Sequence, residues 1–336
     1  MKKTVASLLL CFCAMRLAVA AGAEEGIRDM MSYLERRSGL SGAVDYRETE
    51  QSESEEVGND YTSELAIIDE SGEIALNLGE KVGPDILSST FSGELSIRND
   101  SSRNFDAAEL MSKGPGTVLP AAGPQILIIH THGSEAYTQS TEDRYVESDP
   151  YRTVDKSKNV VKVGDVLTEV LESKGLRVLH DREIYDYPSY TGSYSRSGNA
   201  VEEYLKKYPD IAVVIDLHRD ALGTGDKVYK TKAEPGLGEC AQVMLLVGTG
   251  ENGLYHPLWE ENLRLALYLQ NAMEQAYPGL ARPLSVKSER YNQHLSPGAM
   301  IIEVGSSGNT LSEALRAIEL FGDAAGDALK NLAESE

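Results

Sequence analysis

Apolar runs that alternate with helical patterns constrain this chain most, and the alternation begins at Pro124. Continuous apolar runs predict buried strands at Ile126–Ile129, Leu176–Leu179, Ile211–Leu217, Ala241–Val247 and Ala299–Val304. Helical spacing of apolar residues predicts helices at Asn159–Lys174, Asn199–Lys207, Pro257–Tyr277 and, after a capping box at Thr310, to about Leu332. Such alternation predicts an α/β fold in which helices cover both faces of a mostly parallel, twisted sheet. We assign this domain to residues 123–334.

The first 23 residues are typical of an export signal or a membrane anchor. Lys2 and Lys3 precede an apolar stretch, Val5–Ala20, and small-x-small sequences lie at Ala18–Ala20 and Ala21–Ala23. The stretch is shorter than the roughly 20 residues that span a bilayer. We therefore predict a cleaved signal, with a retained membrane anchor as the alternative. Both predict an extracytoplasmic protein, either secreted or anchored to the outer face of the cytoplasmic membrane.

Residues 24–122 are predicted to be an acidic linker followed by a poorly structured lead-in segment. Between Asp45 and Asp60 the chain is polar and rich in glutamate. Such a stretch cannot bury enough apolar surface to offset the entropy that is lost on ordering. The remaining residues of this region carry weaker patterns interrupted by turn signals such as Gly83-Pro84.

Charge and cysteine content exclude several classes of protein. The formal net charge is -21, whereas nucleic acid and anionic lipid are bound by basic surfaces. We therefore predict no nucleic-acid partner and a substrate with neutral or mixed-charge groups. Cys240 is the only cysteine beyond the apolar N-terminal stretch, so no internal disulfide framework can form there. Its thiol is expected to be buried as a small apolar side chain.

Residues that suit zinc chemistry follow three of the predicted strands. The first strand leads into His132 and Glu135, the third leads into His218, and Glu303 lies near the end of the last one. Because the carboxyl ends of parallel strands meet at one edge of a sheet, we expect these side chains to converge. His130 is an alternative ligand to His132, although its place nearer the strand favours a core or supporting role.

Two histidines and a glutamate form a known ligand set for catalytic zinc, in which a water occupies the fourth position. Zinc lowers the pKa of that water to about 7, so hydroxide forms near neutral pH. We therefore predict a Zn²⁺ cofactor held by His132, Glu135 and His218. Glu303 is the predicted catalytic residue that takes the proton from water and passes it to the leaving amine.

Other polar residues near these positions are candidates for supporting roles. Asp216 or Asp220 could orient a ligand imidazole through its second ring nitrogen. Arg196 and Arg219 are predicted to bind substrate, because guanidinium groups pair with carboxylates. A tyrosine-rich segment, residues 185–194, could line a cleft for a sugar-peptide polymer.

Signals for two other chemistries are absent from the sequence. No glycine-rich phosphate loop follows the first predicted strand, which argues against nucleotide chemistry. No Gly-x-Ser-x-Gly sequence occurs either, which argues against a serine hydrolase of the α/β type.

At these residues the chain resembles the stage II sporulation protein P family, which is related to zinc N-acetylmuramoyl-L-alanine amidases. The likeness spans roughly residues 124–330 and is carried by Ile128–Tyr137, Tyr190–Ser197, Ile215–Ala221 and Asn292–Thr310. It implies an amidase-type α/β fold, a single zinc, and cleavage of peptidoglycan between the lactyl group of muramic acid and L-alanine, together with endopeptidase activity on crosslinks. It also implies a role in septal wall thinning and engulfment during sporulation, alongside stage II sporulation proteins D and M.

By this likeness His132 and His218 match metal-ligand positions, and Glu303 matches the catalytic glutamate. The wider amidase group brings a glutamate ligand from the start of the helix after the first strand. This chain has Asn159 there, so Glu135 has to supply that ligand.

Two other functions remain open at this stage. A zinc carboxypeptidase or endopeptidase that acts on stem peptides would use a similar set of ligands. A non-catalytic wall-binding scaffold would need no complete ligand set, and it would keep its biological function after His218→Ala.

Overall fold

A computed structural model describes residues 66–68, 74–76, 86–87, 95–224, 227–235, 238–251 and 253–333. The predicted export signal or anchor and the acidic stretch between Asp45 and Asp60 lie outside these residues. Within the described part of the chain, no helix is both long enough and apolar enough to cross a lipid bilayer.

The described strands form a large and a small sheet. In chain order they are β1 (Ala66–Ile68), β2 (Ile74–Leu76), β3 (Ile86–Leu87), β4 (Leu95–Asn99), β5 (Ile126–Ile129), β6 (Val178–His180), β7 (Val213–Asp220), β8 (Gly223–Thr224), β9 (Lys227–Lys230), β10 (Val243–Gly248), β11 (Leu284–Lys287) and β12 (Ala299–Ser306). The large sheet has the strand order β3-β4-β11-β10-β12-β7-β5-β6, and the small one has the order β2-β1-β9-β8. In the large sheet all neighbouring strands are parallel except β3 with β4 and β10 with β12.

Helices cover both faces of the large sheet. They are α1 (Ala107–Ser112), α2 (Val160–Ser173), α3 (Ser193–Lys207), α4 (Trp259–Ala276) and α5 (Leu311–Lys330). Side chains alternate between the faces of a strand. Accordingly Ile126 and Ile128 of β5 join the core under α2, α4 and α5, whereas Leu127 and Ile129 pack with Val201 of α3. This arrangement confirms the predicted α/β class with a mostly parallel sheet.

Helix ends follow local hydrogen-bonding chemistry. Asn159 caps α2 by accepting a hydrogen bond from the Val161 N–H, and the Thr310–Glu313 capping box opens α5 as predicted. The start of α3 was predicted too late. It begins at Ser193, directly after Gly192, whose φ of 80° reverses the chain.

The core begins earlier in the chain than the predicted domain start at residue 123. Strand β4 pairs with β11, and Leu95 and Ile97 on it are buried in the main core. Leu110 of α1 joins the same core. These elements were assigned to the lead-in segment because five- and six-residue elements give little periodic signal.

The strand order places three carboxyl ends side by side. Strands β12, β7 and β5 are adjacent and mutually parallel, so their carboxyl ends meet at one edge of the sheet. After β5 the chain adds β6 on one side and then returns to add β7 on the other side. Ligands of open α/β sheets bind at such a reversal of strand order.

Candidate metal and catalytic site

The four residues predicted for zinc chemistry lie together at this edge. His132 follows the end of β5, His218 lies in β7, and Glu303 lies in β12. The strand register pairs the Cα atoms of Glu303 and His218. Paired residues of adjacent strands point to the same face of a sheet, so these two side chains face the same side. Glu135 approaches from the turn after β5 and contacts His218.

His218 lies between two carboxylates. Its Nδ1 is 3.3 Å from Oε2 of Glu135, and its Nε2 is 2.9 Å from Oδ1 of Asp216. Asp216 is held in turn by Thr131, whose N–H and hydroxyl donate to it at 2.8 and 2.6 Å. Burial lowers the pKa of His218, but the two carboxylates outweigh burial and raise that pKa well above its ordinary value. Asp216, of the two candidates, therefore orients this ring.

Glu135 is buried among cationic and polar donors. Its Oε2 accepts a hydrogen bond from the Arg219 N–H at 3.2 Å, and its Oε1 lies 3.7 Å from each of the Arg152 and Arg219 guanidinium groups. Burial raises the pKa of Glu135, but Arg219, His218 and Arg152 together hold it well below its ordinary value. The side chain is therefore an anion, the form that binds a metal.

His132 is enclosed by aromatic rings. Its ring stacks on Tyr190 with centroids 4.4 Å apart, and the Tyr190 hydroxyl lies 3.1 Å from its Nε2. Tyr194 meets the ring edge-on at 5.5 Å, and the His218 ring does so at 5.3 Å. Burial lowers the pKa of His132 to about 3, and Glu135 only partly opposes this shift. The ring is therefore neutral at neutral pH, as a metal ligand must be.

Glu303 is a carboxyl group with one deeply buried oxygen and several charged neighbours. Within the described part of the chain its Oε2 is buried and has no hydrogen-bond partner. Burial raises its pKa to about 8, and the charges of Asp220 and Glu135 add to this effect, while His218 and Arg282 oppose it. Asp220 itself is paired with the fully buried Arg282 at 2.8 Å. A carboxyl group with such a pKa can both accept and donate a proton near neutral pH.

His130 is part of the core. Its Nδ1 donates to the Leu217 carbonyl at 2.9 Å, and its Nε2 lies 2.8 Å from Nε2 of His180. Asp165 contacts the other nitrogen of His180 at 3.2 Å. Both nitrogens of His130 are thus engaged inside the protein, whereas His132 faces His218.

The donors fit zinc in type and partly in geometry. Among the described residues, no group of three or more His, Cys, Asp or Glu side chains stands ready to hold a metal ion. Two ligands of a tetrahedral zinc, each about 2.0–2.1 Å from the ion, lie about 3.3–3.4 Å apart. The 3.3 Å between His218 Nδ1 and Glu135 Oε2 matches that separation. His132, whose Nε2 contacts Tyr190, is the third donor beside this pair.

The two arginines predicted to bind substrate have structural contacts. Arg219 is buried and donates to the carbonyls of Ala136 and Tyr151 at 3.0 and 3.2 Å. Arg196 donates to the carbonyls of Tyr185 and Thr191, at 2.7 and 3.0 Å, and also to that of Ser189. It thereby braces the tyrosine-rich segment. Binding of substrate by either arginine stays a prediction.

Arg152 and Asp186 belong to the site, although no sequence pattern marks either of them as a site residue. Their side chains form an ion pair with an N–O distance of 2.5 Å, and Asp186 also accepts from the Ser134 hydroxyl. Asp186 lies within the tyrosine-rich segment, and its place in that segment is the one sequence feature that could have indicated a role at the site. Arg152 lies in a loop without a recognisable motif.

Asn159 does not face the site as a ligand. Its oxygen accepts from the Val161 N–H at 3.0 Å, and its amide donates to the Thr153 carbonyl at 2.9 Å. Glu135, by contrast, contacts His218 directly. The assignment of Glu135 as the glutamate ligand stays a prediction.

The fold and site define an α/β protein with a histidine- and carboxylate-lined site at the carboxyl ends of its central strands. The model of the stage II sporulation protein P family matches residues 28–325, and the chain belongs to this family. Stage II sporulation protein P of Bacillus subtilis (strain 168) is 29% identical over 209 residues. That match covers 59% of this chain and 49% of the relative, so the chain spans about half the length of the curated relative.

Solved structures with a similar arrangement include two amidases. One is N-acetylmuramoyl-L-alanine amidase AmiC2 of Nostoc punctiforme, with a TM-score of 0.37, 12% identity, and coverage of 63% of this chain and 98% of that one. Another is the CwlD amidase of Clostridioides difficile in complex with the GerS lipoprotein, with a TM-score of 0.37, 14% identity, and coverage of 62% and 98%. It is the family match that identifies the chain.

Proposed function

We propose that this chain is a peptidoglycan hydrolase that acts in septal wall thinning and engulfment during sporulation. More narrowly, we propose a zinc-dependent N-acetylmuramoyl-L-alanine amidase that also acts on peptide crosslinks. Membership of the stage II sporulation protein P family supports the sporulation role. The observation that carries the chemistry is the pair formed by His218 and Glu135, next to which Glu303 projects from the neighbouring strand.

His132, Glu135 and His218 are the residues that would hold the zinc. The protonation of two of them supports this assignment, because Glu135 is an anion and His132 is neutral. His218, whose pKa is raised in the metal-free protein, would have to release a proton as zinc binds. Asp216 lies 2.9 Å from Nε2 of His218, and Nδ1 of the ring lies toward Glu135. When bound, zinc supplies a Lewis acid that makes water nucleophilic near neutral pH.

Glu303 moves the proton. Its carboxylate takes a proton from the attacking water and delivers it to the nitrogen of the leaving amine as the amide bond breaks. The raised pKa of about 8 belongs to the metal-free protein. A zinc ion held by the neighbouring residues would lower it, so that the carboxylate form needed to accept a proton would be populated near neutral pH.

The tyrosine-rich segment is the proposed substrate wall. Tyr190 and Tyr194 flank His132 and so bring flat, amphipathic rings to the edge of the site. Such rings suit the sugar and peptide faces of peptidoglycan. The net charge of -21 also fits a substrate that is not a polyanion like nucleic acid.

Export and partners complete the proposal. We propose that the protein is exported and either secreted or held at the outer face of the cytoplasmic membrane, where its substrate lies. Stage II sporulation proteins D and M are proposed as partners, since the family resemblance implies them.

Zinc analysis combined with mass spectrometry of peptidoglycan digests tests the function. The purified wild-type chain is expected to bind about one zinc and to release stem peptides with free L-alanine amino termini, whereas His218→Ala loses both properties. Shortened peptides that remain attached to muramic acid would instead establish the carboxypeptidase or endopeptidase alternative. Zinc-free protein that binds sacculi without releasing fragments would favour the scaffold alternative.

A further inference from the structure

Arg152 is placed against the candidate ligand Glu135 by the backbone. The segments 134–136 and 151–153 run antiparallel and are joined by two backbone hydrogen bonds of 2.8 Å. Glu135 and Arg152 are bridge partners in this pairing. The arginine side chain therefore starts beside the carboxylate and not at the end of a free loop.

The guanidinium of Arg152 contacts four groups at once, one of which is the Ser134 hydroxyl at 3.3 Å. It donates to Asp186 at 2.5 Å, lies 3.7 Å from Oε1 of Glu135, and stacks 4.9 Å from the ring centre of Tyr190. Only 14% of the Arg152 side chain is exposed, so water screens these contacts weakly. Tyr190 in turn stacks on His132. One planar cation thus bridges a candidate ligand carboxylate and the aromatic neighbour of a candidate ligand ring.

Arg219 provides an internal comparison. It approaches Oε1 of Glu135 at the same distance, 3.7 Å, but its other guanidinium donors go to backbone carbonyls of Ala136, Tyr151 and Asp220. Arg219 therefore ties Glu135 to the turns around the site. Arg152 ties it to the tyrosine-rich segment.

We propose that Arg152 is a positioning residue that couples the tyrosine-rich segment to the candidate metal ligands, an inference that rests on the proposed hydrolase function. Its contact with Oε1 leaves Oε2 of Glu135 directed at His218. Its contacts with Asp186 and Tyr190 hold the segment against His132. Substrate that contacts the tyrosines therefore contacts a segment that Arg152 links to the candidate metal ligands.

Arg152→Lys tests this role better than Arg152→Ala, because alanine would leave Asp186 buried without a counter-charge. Lysine keeps the charge but lacks the planar fork that can stack on Tyr190 while it contacts two carboxylates. Arg264→Lys is the matched control, since Arg264 braces loop carbonyls of Lys113 and Gly114 on the α1 side. Three properties are measured on the purified chains: amide exchange of residues 185–194 without metal, zinc affinity, and kcat and KM on peptidoglycan fragments.

We expect Arg152→Lys to exchange the segment amides about tenfold faster or more. We expect its zinc affinity or kcat to fall about 10–100-fold, as for other residues that orient ligands. Arg264→Lys should match the wild type in all three measurements. The inference is overturned if Arg152→Lys stays within about twofold of Arg264→Lys in segment exchange, or in both zinc affinity and kcat.

The proposed hydrolase function and the positioning role of Arg152 can be contradicted independently of each other. A wild-type chain that neither binds zinc nor releases fragments would remove the proposed function. Segment exchange in Arg152→Lys would still decide whether Arg152 holds the tyrosine-rich segment, because that measurement uses metal-free protein.

Discussion

Glu303 and His218 are register partners on the adjacent parallel strands β12 and β7. The pairing fixes the side chain of a carboxyl group with a pKa of about 8 next to an imidazole that is already oriented by Asp216. A rigid sheet holds both, so their relation does not depend on loop conformation. A substitution of Glu303 in the metal-free protein therefore tests the electrostatic environment of this carboxyl group.

The free energy of unfolding of the metal-free protein should depend on pH through the titration of Glu303. The pKa of Glu303 is raised from 4.5 to about 8 in the folded protein, so its protonated form favours folding. This contribution to the free energy of unfolding is fully present below pH 4.5 and is lost as the pH rises toward about 8. Glu303→Gln removes the titration. We expect the variant to match the wild type near pH 4 and to exceed it by at least about 1 kcal/mol at pH 8.

Urea unfolding of chelator-treated protein at several pH values measures this difference. Taking the difference between variant and wild type cancels the contributions of other titrating groups. A difference that stays constant with pH would mean that Glu303 is ionised at its ordinary pKa.

Asp216 should control zinc affinity through the ring of His218. Asp216→Asn keeps the size of the side chain but removes the charge that lies 2.9 Å from Nε2. We expect the affinity for zinc to fall about 10–100-fold with little change in fold. Asp143→Asn, which removes a partly exposed partner of Lys158, is the control. Equal zinc affinities in competition titrations of the two variants would contradict the role given to Asp216.

Much of the fold could be predicted from the sequence because its central strands are continuous apolar runs. Strands β5, β7, β10 and β12 contain such runs, and the helices α2, α4 and α5 show helical periodicity. The short elements β4, β11 and α1, of four to six residues, show neither a continuous apolar run nor a recognisable period. Their apolar residues join the core only through pairing with distant segments.

The candidate site was accessible from the sequence where residues follow strongly predicted strands. His132, Glu135, His218 and Glu303 all meet that condition. Arg152 does not, because its position depends on an antiparallel pairing of two irregular segments that no local pattern reveals. Likewise the choice of Asp216 over Asp220 needed the side-chain contacts, in which Asp216 lies 2.9 Å from Nε2 of His218 and Asp220 pairs with Arg282.

His130 and His132 should separate cleanly by mutation. His130→Asn can keep a donor toward the Leu217 carbonyl but loses the contact with His180. We expect it to lower the free energy of unfolding by about 1–3 kcal/mol while zinc binding persists. His132→Ala should lose zinc instead. Zinc analysis and urea unfolding of both variants test this expectation. A His130→Asn variant that folds normally but holds no zinc would show that His130, and not His132, is the ligand.

Asn159 should matter for stability and not for metal. Asn159→Ala removes the N-cap of α2 and the hydrogen bond to the Thr153 carbonyl. We expect a loss of about 1–2 kcal/mol, part of which Asn159→Ser recovers because serine can also cap. Zinc content measured on the folded variants should equal that of the wild type. A loss of zinc in Asn159→Ala would show that this residue, and not Glu135, supplies a ligand.

Zinc content and turnover of Glu303→Gln, measured on the same preparation, test the central claim most directly. The account predicts about one zinc per chain, as in the wild type, with release of peptidoglycan fragments reduced about 10²–10⁴-fold, since the proton carrier is gone. Turnover within a few-fold of the wild type, or loss of the zinc along with activity, would contradict the separation of a metal-holding set from a proton-moving glutamate.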